Sequence, residues 1–184
     1  VNELNRDALN SYLINREEEY SHLLDKRFHS QDIKECINES FFKTLKKDIK
    51  DKFGVSNVDL ICGGPPCQGY SGIGHRRSYA VNKKQLPSNH LYEDMAYFIY
   101  KMQPKIFLFE NVQGLLTARW TSEGKKGEIF EDILNLFQGL KGYSVRFSLL
   151  KAKDYGVPQK RPRVFLVGIK EDVLKVEEPL EEEQ

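Results

Sequence analysis

VDLICGGPPCQGYSG, residues 58–72, joins a short, largely apolar run to a loop that no regular element can contain. The run from Val58 to Cys62 is bounded by turn signals, which is the pattern of a strand buried in a parallel sheet. Beyond it, Pro65 and Pro66 have a fixed φ and no N–H to give to a helix or a sheet. Gly63, Gly64 and Gly69 permit a sharp turn and the close approach of another group. Cys67 therefore stands on a stiff loop at the carboxyl end of a strand, the edge at which open α/β sheets bind ligands. A free cysteine is ordinarily a small buried hydrophobe, so its meaning depends on what else the chain brings to that edge.

Helical and strand-like segments alternate on both sides of this stretch. Residues 6–15 suit a helix with Ala8, Leu9, Tyr12 and Leu13 as its apolar stripe. After Asp32, the apolar positions Ile33, Cys36, Ile37, Phe41, Phe42, Leu45 and Ile49 follow a helical period. VNEL (1–4) reads as the end of a strand and KRFHS (26–30) as a short one. Downstream, Leu91, Met95, Phe98, Ile99 and Met102 share one helical face, IFLF (106–109) is a second buried strand, and residues 128–140 form another helix. YSVRFSLL (143–150) and VFLVGI (164–169) are strands joined by DYGVPQKRPR, which leaves no room for a helix; they are expected to pair antiparallel at an edge. This order predicts an α/β fold with a largely parallel sheet. Cys36 and Cys62 lie on apolar faces and are expected in the core.

Length and composition fit one globular domain: 184 residues, 40% hydrophobic, 30% charged and net charge +1. No global field announces a polyanion. The charge is uneven, however, with seven basic residues and one acid between Lys141 and Arg163 and an acidic end, EEPLEEEQ. No apolar run approaches membrane-span length and no signal peptide is visible. Three cysteines without a CxxC argue against a disulfide framework or a zinc site and for a reducing, cytoplasmic setting. His29, His75 and His90 lack metal-ligand spacing, and no metal is expected.

If the sheet is parallel, Glu3, Cys67, Glu110 and Asn111 all follow strands toward one edge, where a thiol beside a carboxylic acid suits nucleophilic attack assisted by a proton donor. At this point three stretches coincide. GPPCQGYS (64–71), FENV (109–112) and DYGVPQKRPR (154–163) resemble, in order and spacing, the nucleophile loop, the Glu-Asn-Val motif and the Gln-x-Arg-x-Arg motif of the DNA cytosine-5 methyltransferases. A zinc deaminase also places a thiol after proline, but it needs H-x-E and P-C-x-x-C, and neither is present.

The resemblance covers about residues 1–170. It implies a Rossmann-like S-adenosylmethionine-dependent methyltransferase fold and transfer of a methyl group to carbon 5 of a cytosine flipped out of double-stranded DNA. Cys67 would add to carbon 6, Glu110 would serve ring nitrogen 3, Asn111 would orient it, Arg163 would hold the exocyclic oxygen, and Arg161 would orient the site or meet phosphate. Pro65, Gln68, Ser71 and Gln159 would contact the substrate. Glu3, Asp32, Ile33, Pro66 and Leu91 would contact the cofactor, although Asp32 reads equally as a helix N-cap. The long segment before Asn89, with Arg76, Arg77, Lys83 and Lys84, would close over the base. Residues 1–172 are accordingly expected to be a partial catalytic domain and 173–184 an acidic tail, with the Gly-rich first motif and the target-recognition region lying on missing parts of the protein or on a complementary chain. An RNA cytosine methyltransferase of the same fold and a non-catalytic subunit of a split enzyme are the alternative readings.

Overall fold

A computed structural model describes residues 1–66 and 90–174. The chain divides into two compact units, Val1–Val58 and a second beginning at Asp59. In the first, helix α1 spans Arg6–Ile14, and the Asn5 side chain caps it by accepting the N–H groups of Asp7 and Ala8 at 2.9 and 3.0 Å. Leu9 and Leu13 are its buried positions. The single helix expected after Asp32 is two: α2 over Ile33–Cys36 and α3 over Glu39–Phe53. Asn38 separates them, because its side chain takes the Phe41 N–H at 2.8 Å and starts a new helix rather than continuing the old one. Gly54, at φ +70°, ends α3. The expected strands at VNEL and KRFHS reduce to one parallel bridge, Asn2 to Ser30.

The second unit carries a four-stranded sheet: β1 (Leu60–Gly63), β2 (Ile106–Val112), β3 (Tyr143–Lys151) and β4 (Pro162–Lys170), in the order β1-β2-β4-β3. Helix α4 (Leu91–Met102) precedes β2 and helix α5 (Glu128–Gln138) precedes β3. β1 and β2 are parallel, and β4 is antiparallel to both of its neighbours. Three strands thus point one way and β4 alone runs against them, which is the α/β, Rossmann-like arrangement expected. The hairpin is also as expected, with one refinement: β4 folds back between β2 and β3, so only β3 is at the edge.

The core lies against α4 and α5. Phe107, Phe109, Val164 and Leu166 are fully buried on one face of the sheet, packed with Ile99, Ile129, Ile133 and Phe137. Period-two alternation along β2 then puts Asn111 on the buried face and Glu110 on the other. At the β2–β4 pair Gly168 faces Phe107, and a Cβ there would strike that ring. Cys36 is buried as expected, but Cys62 is exposed. The β1 strand is half-exposed, with Leu60 and Cys62 on the face turned away from the core. Ile61, one residue out of phase with them, packs against it.

Candidate active site

β1 and β2 end side by side, and their ends define the site. Gly63 pairs with Phe109 as the last step of the parallel ladder. IFLF proves to be the start of a longer strand, so Glu110 and Asn111 lie within it, just before its last residue Val112, and not on a loop after it. This matters because strand residues have fixed directions, and the two side chains are sent to opposite faces.

Asn111 is 5% exposed. Its Nδ2 donates to the carbonyl of Pro65 at 3.2 Å, and its Oδ1 accepts the N–H of Val112 at 2.9 Å. It therefore ties the start of the Pro65-Pro66 loop to β2. Glu110 is held from another strand. Arg163 opposes Val112 and stands diagonally across from Glu110, and its Nε reaches Glu110 Oε1 at 2.8 Å. The NH1 group of Arg163 also donates to the Pro162 carbonyl at 2.9 Å. Two of the three guanidinium nitrogens are thus fixed, and among the described residues the third has no partner, so the fork is oriented with one nitrogen able to serve a ligand.

The two glycines of the loop have specific neighbours. A Cβ at Gly64 would lie 3.2 Å from Glu110 Oε2, and one at Gly63 would lie 3.1 Å from the Met95 sulfur. The loop passes so close over the carboxylate that a side chain there would displace it. Within the chain, the close neighbours of these two glycines are the Glu110 carboxylate and Met95 of α4.

Arg161 is exposed and has φ +25°. A non-glycine residue rarely adopts this region, and one before proline is pushed toward extended backbone instead. The kink turns the chain from the loop into β4. Gln159 is exposed on that loop, its N–H bonded to the Val157 carbonyl at 2.7 Å. Leu91 opens α4 and is partly buried. In the first unit, Glu3 Oε1 accepts the Asn5 N–H at 2.9 Å, and Asp32 caps α2 by accepting the Lys34 N–H at 2.9 Å. Ile33 is the first residue of that helix. Cys67, Gln68 and Ser71 lie outside the described residues, as do the basic segment before His90 and the acidic end.

A model of the family described as C-5 cytosine-specific DNA methylase matches residues 13–184. The chain belongs to this family. Among curated relatives, the Type II methyltransferase M.DdeI of Desulfomicrobium norvegicum is 43% identical over 122 residues, covering 66% of this chain and 27% of that protein. M.FnuDI of Fusobacterium nucleatum is 40% identical over 133 residues, covering 71% of this chain and 35% of its own length. The chain therefore spans only a fraction of these relatives. Among solved structures, an E. coli prophage protein described as a DNA modification methyltransferase matches with TM-score 0.62 and 28% identity over 96% of this chain and 40% of its own. A mutant DNMT2 of Spodoptera frugiperda shares the fold at TM-score 0.52 and 19% identity, over 99% of this chain and 45% of its own.

Sequence reasoning named Glu110, Asn111 and Arg163 but not how they are held. The Glu110–Arg163 pair joins two motifs 53 positions apart, and only the antiparallel register of β2 and β4 brings them together. The bond from Asn111 to Pro65 was equally hidden, and the alternation FLFEN, which buries Asn111 and not Glu110, was the signal that could have revealed it.

Proposed function

We propose that this chain is the part of a DNA cytosine-5 methyltransferase that carries the covalent chemistry. The observation that supports this most is the Glu110–Arg163 pair at 2.8 Å beside the Asn111–Pro65 bond, at the strand ends from which the Cys67 loop departs. The family description names DNA as the substrate, and this favours DNA over RNA.

Carbon 5 of cytosine is a poor nucleophile. Addition of the Cys67 thiolate forms a bond from sulfur to carbon 6 and makes carbon 5 electron-rich. Glu110 lies at ring nitrogen 3, where a proton shared between carboxyl and nitrogen offsets the negative charge that reaches the ring. Arg163 holds the exocyclic oxygen through its remaining nitrogen, and donors aimed at charge that appears only during reaction are the most effective kind. S-adenosylmethionine, when bound, would supply an electrophilic methyl group to carbon 5 and leave as the neutral thioether. Loss of the carbon 5 proton to solvent then breaks the carbon–sulfur bond and restores the thiolate. The Pro65 carbonyl has a second lone pair besides the one facing Asn111, and this can accept from the exocyclic amine. Since none of these atoms is reachable in a stacked duplex, the base must be flipped out.

The chemistry of the cofactor-side residues fits the methyl donor. Glu3 and Asp32 are carboxylates whose backbone bond uses one oxygen each, so the other can accept from a ribose hydroxyl or an adenine amine. Ile33, Pro66 and Leu91 would supply apolar contact. The deciding test is adduct formation on duplex DNA containing 5-fluorocytosine, in which fluorine blocks the elimination. With S-adenosylmethionine present, the complete protein should form a denaturation-resistant adduct that Cys67→Ser loses, whereas the isolated 184 residues should be inactive. No adduct from the complete, unaltered protein, or one that survives in Cys67→Ser, overturns the assignment.

A further inference from the structure

The connection from β3 to β4 is the least absorbed feature of the fold. It leaves β3 at Lys151, and β3 points the same way as β1 and β2, so the connection stands at the sheet edge that carries Glu110. Every residue from Lys153 to Arg161 is exposed. Tyr155 and Val157 are 67% and 46% exposed. Cations flank them: Lys153, Lys160 and Arg161. The one acid, Asp154, meets Lys153 at 3.4 Å with both side chains more than half exposed, an arrangement that contributes little. Among the described residues Lys160 and Arg161 have no ion-pair partner.

The loop is nonetheless well ordered by its own bonds. Ala152 to Tyr155 form a single 3₁₀ turn that Gly156 closes at φ +80°. The Val157 N–H reaches the Ala152 carbonyl at 3.3 Å, and the Ala152 N–H reaches the Arg161 carbonyl at 3.4 Å. Pro158 and Pro162 restrict it further. A pre-ordered loop that exposes an aromatic ring and a valine between cations loses little entropy on binding a partner. Its chemistry matches a nucleic-acid strand, with cations for phosphates and a ring for an exposed base face.

We propose that Lys153, Tyr155 and Lys160 form a strand-contact surface for the DNA that carries the target base, with the lysines on flanking phosphates and the Tyr155 ring against the base face left open when its neighbour leaves the stack. This rests on the function proposed above and extends it to residues outside the catalytic set. Flipping one base exposes the face of the next, so an exposed ring on a loop at the same sheet edge has a partner only in the distorted duplex.

Fluorescence anisotropy of the full chain against labelled duplexes, intact and with one abasic position, tests this over a range of salt. Lys153→Ala and Lys160→Ala should each weaken binding to both duplexes alike and reduce the salt slope by about one. Tyr155→Ala should lower affinity for the abasic duplex roughly five- to a hundred-fold, leave the salt slope unchanged and erase any preference over the intact duplex. Tyr155→Phe should retain that preference. Because all three side chains are exposed, far-ultraviolet circular dichroism should match the unaltered protein. Wild-type affinity and slope in all variants overturn the proposal, as do equal losses in Tyr155→Ala and Tyr155→Phe. Tighter binding to an RNA duplex with the same losses overturns DNA as the occupant. The 5-fluorocytosine adduct is read separately, so failure of this surface with an intact adduct leaves the catalytic reading standing.

Discussion

The two units of the chain are built to different standards. In the first, Leu9, Leu13, Phe28, Cys36 and Phe42 are the buried apolar residues, and several large apolar side chains remain exposed, among them Leu4, Leu24 and Phe53. In the second, three aromatic rings, Phe107, Phe109 and Phe137, are wholly buried, and the tilted Phe137 ring lies 5.4 Å, centroid to centroid, from each of the other two. The candidate chemistry sits in the second unit on adjacent strands. The candidate cofactor residues of the first sit at helix caps and a single bridge. Covalent chemistry needs groups placed within a fraction of an ångström, and strands packed on a dense core provide that placement. Recognition of a ribose or an adenine tolerates a looser frame.

The largest effect expected from this contrast is on stability. Phe107→Ala removes a fully buried ring that packs against Phe137, Tyr143 and the Gly168 backbone, and it should cost about 3–5 kcal/mol. Leu9→Ala, in the lightly packed unit, should cost about 2 kcal/mol, the low end for such truncations. Chemical denaturation measures both, and equal losses would break the comparison. Hydrogen exchange sharpens it: amides of β2 and β4 should exchange only through global opening, and those of α1 and α2 through local opening at a far lower free energy.

A second pair of variants tests whether geometry at the strand ends matters more than geometry at the caps. In the proposed chemistry, Glu110→Gln and Arg163→Ala each remove a group aimed at charge that forms in the transition state. They should slow the single-turnover methylation step on the scale of lost oxyanion donors, about 2.7–4 kcal/mol. Duplex affinity should change far less. Asp32→Ala removes a helix cap and, in the proposed function, a cofactor contact; it should lower stability by about 1 kcal/mol and raise the KM for the methyl donor, with little change in kcat. If Asp32→Ala depresses kcat as deeply as Glu110→Gln, the division of labour between the units is wrong.

The sequence carried the motifs and most of the elements, because periodicity and turn residues are local signals. FENV and QKRPR were recognisable, and α1, α4, α5 and the hairpin fall close to where the apolar pattern puts them. What was not legible is nonlocal. The insertion of β4 between β2 and β3 follows from pairing, which no single segment encodes, and it alone creates the Glu110–Arg163 contact. Cys62 was misplaced for a related reason. A run such as VDLIC looks buried on both faces, but the core of this sheet lies on one face, and alternation leaves Leu60 and Cys62 outside it. The break at Asn38 was within reach, since asparagine followed by glutamate is a helix-start signal, yet the apolar period runs across it and masks the cap.

The smallest expected effect concerns how the far end of the same sheet is secured. Tyr143 begins β3, is 6% exposed and donates its hydroxyl to the carbonyl of Pro104, just before β2. That bond fastens the edge strand to the central one across the intervening β4. Tyr143→Phe keeps the ring between Phe107 and the core but leaves a carbonyl without its donor, which should cost about 1 kcal/mol. Burial, with Asp172 adding to it, pushes the Tyr143 pKa up to about 12 from an ordinary value near 10. The neutral phenol is therefore the form the fold prefers. A group with a raised folded pKa contributes its full stability below the unfolded value and loses it as pH rises through the folded one. The unaltered protein should accordingly lose stability relative to Tyr143→Phe between about pH 10 and 12, and the gap between them should narrow or reverse there. Thermal melts of both proteins at pH 8, 10 and 11.5 read this directly. A gap that stays constant over that range would mean that the phenol is not held neutral by the fold, and that the bond to Pro104 does not secure β3.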